Sequence, residues 1–443
     1  MKRLAPQNTT HKLFLVSAAN VAIRAMGIVG SVAAVYVLSR ALDVSEFGMW
    51  SWLLSIATLI TSQDFGVISA MRIELGKLGA KQDLNHQGNQ QQELLLSVIQ
   101  GLLAIILLAL LALLLASYAA DALHAIKAPY ALFVLVVMIA FVSLLGTISA
   151  NALLAFLKED QVALLDFCRN VMQLAAVACI YVLQTNLDLA VSIFFAPYAL
   201  YSVVGLYLLL KTQRWSLANF VSALESGFQG RFSQFINLFK AGLPLWAIQL
   251  GAIVFSGSEL IYVGFFADDA TIGTTAILQR YVNIAIGFIS ATIFPFLGHY
   301  ASRIHAQGSQ DLAWLKRMSN FKLLAVMLIG LIYTLVLIFF GPQITFLWSG
   351  QNLESGLLFA LVGIVFAITG MNVLFQLFYQ STKVYVPVIF ALVICGAIKL
   401  LAIALLYGPL QMIGIWMSFL VGNLMFLVFN FFYVRKTLLT QTN

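Results

Sequence analysis

From Val384 to Val434 the chain runs through 51 residues with a single charged side chain, Lys399. A helix gains about 1.5 Å per residue and needs about 20 apolar residues to cross about 30 Å of hydrocarbon. The stretch is therefore too long for one crossing and too apolar for water. It has to fold back within a membrane, and Tyr407, Gly408 and Pro409 supply the turn. The rest of the chain obeys the same logic, because 62% hydrophobic and 9% charged residues do not describe a fold made in water.

Continuous runs of Leu, Ala, Ile, Val and Phe place twelve crossings near 13–38, 47–70, 94–118, 129–156, 161–184, 189–210, 241–266, 270–298, 322–346, 355–380, 384–406 and 411–434. The short alternating segments of a membrane barrel are absent from the sequence, so the expected fold is an all-α integral membrane protein. Lys and Arg set the orientation. With the amino terminus in the cytoplasm, 18 of the 24 Lys and Arg lie on the cytoplasmic side, only Arg40 and Lys127 lie outside, and Arg24, Arg169, Arg280 and Lys399 lie inside spans. An even number of crossings then leaves both termini cytoplasmic. The net charge of +7 gathers where anionic lipid headgroups can meet it, and its spread over every inner loop argues against a nucleic-acid partner.

Smaller signals fit the same class. Trp50, Trp52, Trp246, Trp348 and Trp416 fall near span ends, where indoles anchor helices at the interface. Cys168, Cys179 and Cys395 lie within spans without metal-binding spacing and read as small buried hydrophobes. The first apolar run is long, contains Arg24 and lacks a convincing small-residue cleavage site, so it reads as a retained helix.

A repeat divides the chain. Ala70–Ile73 reads AMRI and Ala301–Ile304 reads ASRI, 231 residues apart, each opening a polar cytoplasmic loop. That offset equates crossings 1–6 with 7–12 and predicts a six-helix lobe over 1–211, a cytoplasmic linker over 212–240 and a second six-helix lobe over 241–443. Six spans per half keep the repeats parallel, with a substrate site expected where they meet.

Charges inside the membrane are the candidate site, since each costs about 2.5–3.5 kcal/mol at mid-bilayer and normally faces a bundle interior or a wet cavity. Arg24 follows Lys12 by twelve residues, about 18 Å along a helix and too deep for easy snorkelling. Arg24, Arg280, Lys399 and Arg169 are the cavity cations. Asp64, Glu259 and Asp166 are the acids that pair with them or exchange a coupling ion, because ionisation of a buried carboxyl depends on its neighbours. Asp166 and Arg169, three apart, share a helix face. Pro244 and Pro295 are expected to bend helices 7 and 8. The five histidines sit in loops or at span ends and form no relay. No Walker loop, HExxH motif or long extramembrane segment is present, so an enzyme, a metal centre and a cofactor are not expected.

Three passages, LSRALDVSEFGMWSWL (38–53), DFGVISAMRIELGKLGAKQD (64–83) and VGFFADDATIGTTAILQRYVNIA (263–285), resemble Wzx-type O-antigen flippases of the multidrug/oligosaccharidyl-lipid/polysaccharide exporter (MOP) superfamily. The first crossing of that family is followed by an Arg-Leu-Gly, acidic, Tyr-Gly pattern, matched here by Arg40, Ala41, Leu42, Glu46, Phe47 and Gly48, while Gly273 and Tyr281 match its start of crossing 8. The resemblance implies a MATE-like, V-shaped transporter of twelve helices in the bacterial inner membrane that works by alternating access. Its implied substrate is an undecaprenyl-diphosphate-linked oligosaccharide, an O-antigen, capsule or exopolysaccharide repeat unit, flipped to the periplasmic leaflet by ion coupling. A polysaccharide polymerase and a chain-length regulator are the implied partners, beside membrane lipids. Buried cations outnumber buried acids, which favours an anionic substrate over the cations of a multidrug exporter. A lipid II exporter is a further alternative, although that branch commonly has two more helices. A membrane polymerase or ligase usually carries a large periplasmic loop, and the longest external connection here is about ten residues.

Overall fold

The computed structural model describes residues 26–440 except 28, 31, 62–65, 81–83, 119–128, 157, 184–185, 214, 217, 219, 223–227, 253–254, 256–258, 294–309 and 383–385. Helices α1 (Val32–Ala41), α2 (Val44–Thr61), α3 (Val67–Ala80), α4 (Leu84–Tyr118), α5 (Tyr130–Ala155), α6 (Glu159–Leu183) and α7 (Leu187–Gln213) come first. Then follow α8 (Phe228–Ala252), α9 (Glu259–Phe266), α10 (Asp269–Ile293), α11 (Gln310–Ser349), α12 (Gly356–Thr382) and α13 (Val386–Thr440). No strand occurs among the described residues. Among the described residues, eight helices are long and apolar enough to cross a membrane. Their outer faces carry large apolar side chains, on α11 for example Ile332, Phe339 and Leu347, all more than 60% exposed. Apolar surface on that scale is solvated by lipid, and the chain is a multi-pass membrane protein.

The chain forms two compact units, Met1–Val37 with Ile56–Ala247, and Leu38–Ser55 with Ile248–Asn443. The second unit thus contains a segment from early in the chain. In the first unit α5 packs on α7, α7 on α6, and α3 on α4 and α5. Leu95, Val98, Ile99 and Leu102 place an i, i+3, i+4, i+7 stripe of α4 in the core, beside Val67, Met71 and Leu75 of α3 and Phe235 and Leu238 of α8. Arg231 of α8 holds Glu93 of α4 through Nε to Oε2 at 2.6 Å and an NH2 group to Oε1 at 3.0 Å. In the second unit α11, α12 and α13 pack in sequence, with α10 on α12 and α9 on α13.

Several expectations change. Ala70–Ile73 do not open a loop but lie inside α3, because Val67, Met71 and Leu75 recur every fourth residue and bury one face of a helix that exposes Arg72. The matching tetrapeptide at 301–304 lies outside the described residues. Residues 228–240, read as linker, are the first half of α8, with Phe235 and Leu238 buried. Within the crossing expected over 241–266, α8 is described to Ala252 and α9 from Glu259, and residues 253–254 and 256–258 lie outside the described residues. The fold-back in α13 comes at Gln411 (φ 49°, ψ −130°), two residues beyond Pro409. Beyond it Gly422 returns to Lys399, so closely that a Cβ there would lie 3.0 Å from the lysine stem. Trp50, Trp52 and Trp416 are buried at 5% exposure or less instead of anchoring at an interface. Cys168 and Cys179 are exposed on α6, and only Cys395 is buried. Proximity to a span end, or membership of a span, says nothing about which way a helix face points.

Candidate functional site

The site in the second unit is built from Phe255 and from α9, α10 and α13. Glu259 is buried on α9. Lys399, in the first half of α13, reaches both. Its Nζ donates to the Phe255 carbonyl at 2.5 Å and to Glu259 Oε1 at 2.6 Å, and sits 4.3 Å from the centre of the Phe255 ring and 5.3 Å from that of Phe419. Gln279 of α10 donates from Nε2 to the other oxygen, Glu259 Oε2, at 2.5 Å. Lys399 is wholly buried and Glu259 is 8% exposed. Two opposite charges are therefore enclosed with their bonding capacity directed at each other.

A cavity of about 310 Å³ adjoins this pair, with Glu259 and Gln279 in its wall and Lys399 outside its lining. Asn283, at the exposed edge of α10, also lines it. Its polar wall is largely cross-linked: Thr369 Oγ1 donates to Asn423 Oδ1 at 3.0 Å, Asn372 Nδ2 to the Asn423 carbonyl at 3.1 Å, and Asn430 Nδ2 to Asn372 Oδ1 at 2.9 Å. Trp416 contributes an indole whose buried N–H has no hydrogen-bond partner. The cavity is lined mostly by apolar side chains, with amides, Thr369 and the Lys399-paired Glu259 as its polar groups. Among the described residues, no three of His, Cys, Asp and Glu gather as a metal site would require.

The other candidate residues are placed as follows. Arg24 and Asp64 lie outside the described residues. Arg280 is half-buried on α10, next in sequence to the Gln279 that holds Glu259. Arg169 and Asp166 meet at 3.7 Å in the first unit, each a third exposed, with the guanidinium 5.0 Å from the Tyr201 ring centre. The structure brings Glu259 and Lys399 together although 140 residues separate them. Sequence reasoning passed over Gln279, Asn283, Thr369, Asn372 and Asn423, because a neutral amide in an apolar run carries no cost large enough to flag it. The Glu93–Arg231 pair escaped for another reason: Arg231 read as one more basic loop residue.

Two of the three passages carrying the family resemblance, 38–53 and 263–285, lie in the second unit, and 64–83 lies in the first. Arg40 donates to the Leu347 carbonyl at 2.8 Å. Asp43 and Glu46 form a capping box at the start of α2, the Glu46 N–H on Asp43 Oδ1 at 2.7 Å and the Asp43 N–H on Glu46 Oε2 at 3.3 Å. Phe47 is buried, and a Cβ on Gly48 would overlap the carbonyl of Asp269, so only glycine lets α2 approach α10 this closely. A Cβ on Gly273 would likewise overlap the carbonyl of Val44. The Tyr281 hydroxyl donates to Thr345 Oγ1 at 2.9 Å, and the Thr345 proton goes to the Gly341 carbonyl. These residues hold the fold together.

No protein-family model matches the chain, and no curated protein matches it in sequence. Solved structures match it over nearly its whole length. A lipid II flippase MurJ in an inward closed conformation superposes with a TM-score of 0.69 at 14% identity, covering 97% of this chain and 90% of that one. A multidrug resistance MATE family transporter of the MOP superfamily, in an inward-facing conformation, gives 0.67 at 13% identity, covering 96% and 98%. A MOP superfamily transporter from Pyrococcus furiosus, whose binding pocket is described as of reverse polarity, gives 0.58 at 14% identity, covering 97% of each chain. The fold is thus that of a class of helical membrane transporters. Within it, the chain shares the fold of MurJ and the MATE proteins.

Proposed function

We propose that this protein is a MOP-superfamily flippase of twelve crossings in two six-helix lobes, moving an undecaprenyl-diphosphate-linked oligosaccharide from the cytoplasmic to the periplasmic leaflet of the bacterial inner membrane. The observation that carries the reading is the end-to-end fold likeness to a lipid II flippase and to MATE transporters. The prenyl chain stays in lipid while sugars and diphosphate cross by alternating access, coupled to an ion gradient. Both termini lie in the cytoplasm, and the flipped unit passes to a polymerase and its chain-length regulator. Arg24 and Arg280 are the diphosphate contacts, because a guanidinium offers paired donors to phosphate oxygens. Arg169, already held by Asp166, is a lesser candidate, and Asp64 is a candidate for ion coupling. Lys399 belongs to the Glu259 pair, since a fully buried ammonium with an acidic partner has no charge left for a substrate. The likeness to MurJ also favours lipid II itself as cargo, and the same assay separates the two.

The test is a deletion strain. Surface polysaccharide should disappear while the lipid-linked repeat unit is still made and accumulates on the inner leaflet, with lipid II export unaffected. Membranes unable to make the lipid-linked unit at all would point to a biosynthetic enzyme instead, and blocked lipid II export would move the cargo to the cell-wall precursor.

A further inference from the structure

Lys399 is an expensive residue. Its ammonium lies at 0% exposure in a membrane helix, and Gly422 gives way beside its stem, where any side chain would crowd it. The shell around Nζ consists of a carboxylate oxygen, a backbone carbonyl and two aromatic faces. Oxygen donors of that kind are what a bare hard cation seeks, and ring faces attract a desolvated positive charge. The second carboxylate oxygen is fixed by Gln279, so Glu259 is aimed as a ligand is aimed. The arrangement is a cation site with its cation covalently attached.

The neighbouring cavity makes this more than a buried ion pair. It reaches Glu259 directly, extends to the exposed Asn283, and carries no charged residue in its lining other than Glu259. A small ion entering there would find water-sized space, amide and hydroxyl oxygens, and one carboxylate. It would also find that carboxylate neutralised. Binding would require an ion to shed its hydration without gaining any net opposite charge, and to sit against an ammonium of its own sign.

We propose that the second unit holds an alkali-cation site whose occupant is the protein's own Lys399 ammonium, and that Lys399 is the residue excluding sodium from Glu259. For the transporter proposed above, on which this consequence rests, the driving ion is then not a metal ion bound at Glu259. Removing the ammonium while keeping the carboxylate converts the position into an open site, with Glu259 Oε1 and the Phe255 carbonyl as ligands and the cavity as its approach.

The experiment uses the purified full-length protein in detergent and needs no transport. Melting is followed in sodium chloride against choline chloride at equal ionic strength, and radioactive sodium binding is measured by equilibrium dialysis. The wild type should show no sodium-specific shift and no saturable sodium binding. Lys399→Ala should bind sodium saturably and melt about 5 °C higher in saturating sodium than in choline, and adding Glu259→Gln should erase both gains. Lys399→Met, closer in volume, serves in place of an alanine variant that does not accumulate. Saturable sodium binding by the wild type that Glu259→Gln abolishes would overturn the proposal. So would a folded Lys399→Ala or Lys399→Met protein with no sodium response, which would reduce the pair to a structural clamp. Failure of the flippase reading would appear separately, as unimpaired surface polysaccharide in the deletion strain.

Discussion

Replacing Lys399 by Met keeps most of the stem's volume and removes the charged head, which leaves the Glu259 carboxylate enclosed with the Gln279 bond alone. Breaking a buried ion pair from one side costs about 3–5 kcal/mol, because the orphaned charge stays desolvated. Here no discount for solvent screening applies, since the ammonium is wholly buried and the carboxylate side chain is 10% exposed. A unit of roughly 200 residues loses about 2–4 °C in melting temperature per kcal/mol, so the single variant should melt about 10 °C below wild type in sodium-free buffer. Glu259→Gln should cost less, because a neutral amide can still accept from Lys399 while the ammonium keeps the Phe255 carbonyl. The double variant Glu259→Met/Lys399→Met removes both charges together and should recover most of the loss, as isosteric apolar replacements of buried pairs do. Melting of the wild type, Lys399→Met, Glu259→Met and the double variant by tryptophan fluorescence in detergent gives the coupling energy. If Lys399→Met melts with the wild type, or if the double variant is worse than the sum of the singles, the enclosed charges do not hold each other and the description of the site fails.

Other outcomes follow from the same geometry. Gly48→Leu sets a side chain against the Asp269 carbonyl and should abolish accumulation of folded protein, whereas Gly230→Ala, with nothing near its Cβ position, should be neutral in the same membrane-yield assay. Arg231→Met strips a nearly buried partner from Glu93, whose side chain is 47% exposed and can turn to water, so the loss should stay within about 1–2 kcal/mol by thermal unfolding. Periplasm-side cysteine labelling should miss positions 307 and 441, and labelling of either in intact cells would reverse the orientation.

The class of fold was legible because apolar length is a cumulative signal: 51 residues with one charge cannot be reconciled with any soluble arrangement. The reversal near Pro409 was legible for the same reason, to within two residues. Lys399 and Glu259 announced themselves singly through their cost, yet nothing in spacing could pair residues 140 apart. Burial of Trp50, Trp52 and Trp416 was misread because an interfacial and a buried indole occupy the same place in a linear pattern. The amides of the cavity wall, Gln279, Asn283, Asn372 and Asn423, were invisible because they carry no charge.

Substitution of Arg280 tests the cargo rather than the fold. Arg280 is half-buried on α10, on the helix whose preceding residue fixes Glu259 and whose Asn283 reaches the cavity edge. Arg280→Gln removes charge while keeping a polar side chain, and should lower surface polysaccharide in a complementation assay without lowering the amount of inserted protein. Arg280→Lys should restore part of the activity, because it returns the charge without the planar fork that grips two phosphate oxygens. Arg24→Gln and Arg24→Lys should behave alike. If both Gln variants, matched for expression, complement fully, cation recognition of a diphosphate at these positions is wrong. If the Gln variants fail to insert and Lys rescues insertion and activity in step, the guanidinium is a structural partner of its own surroundings, and the anionic group of the substrate must be met elsewhere.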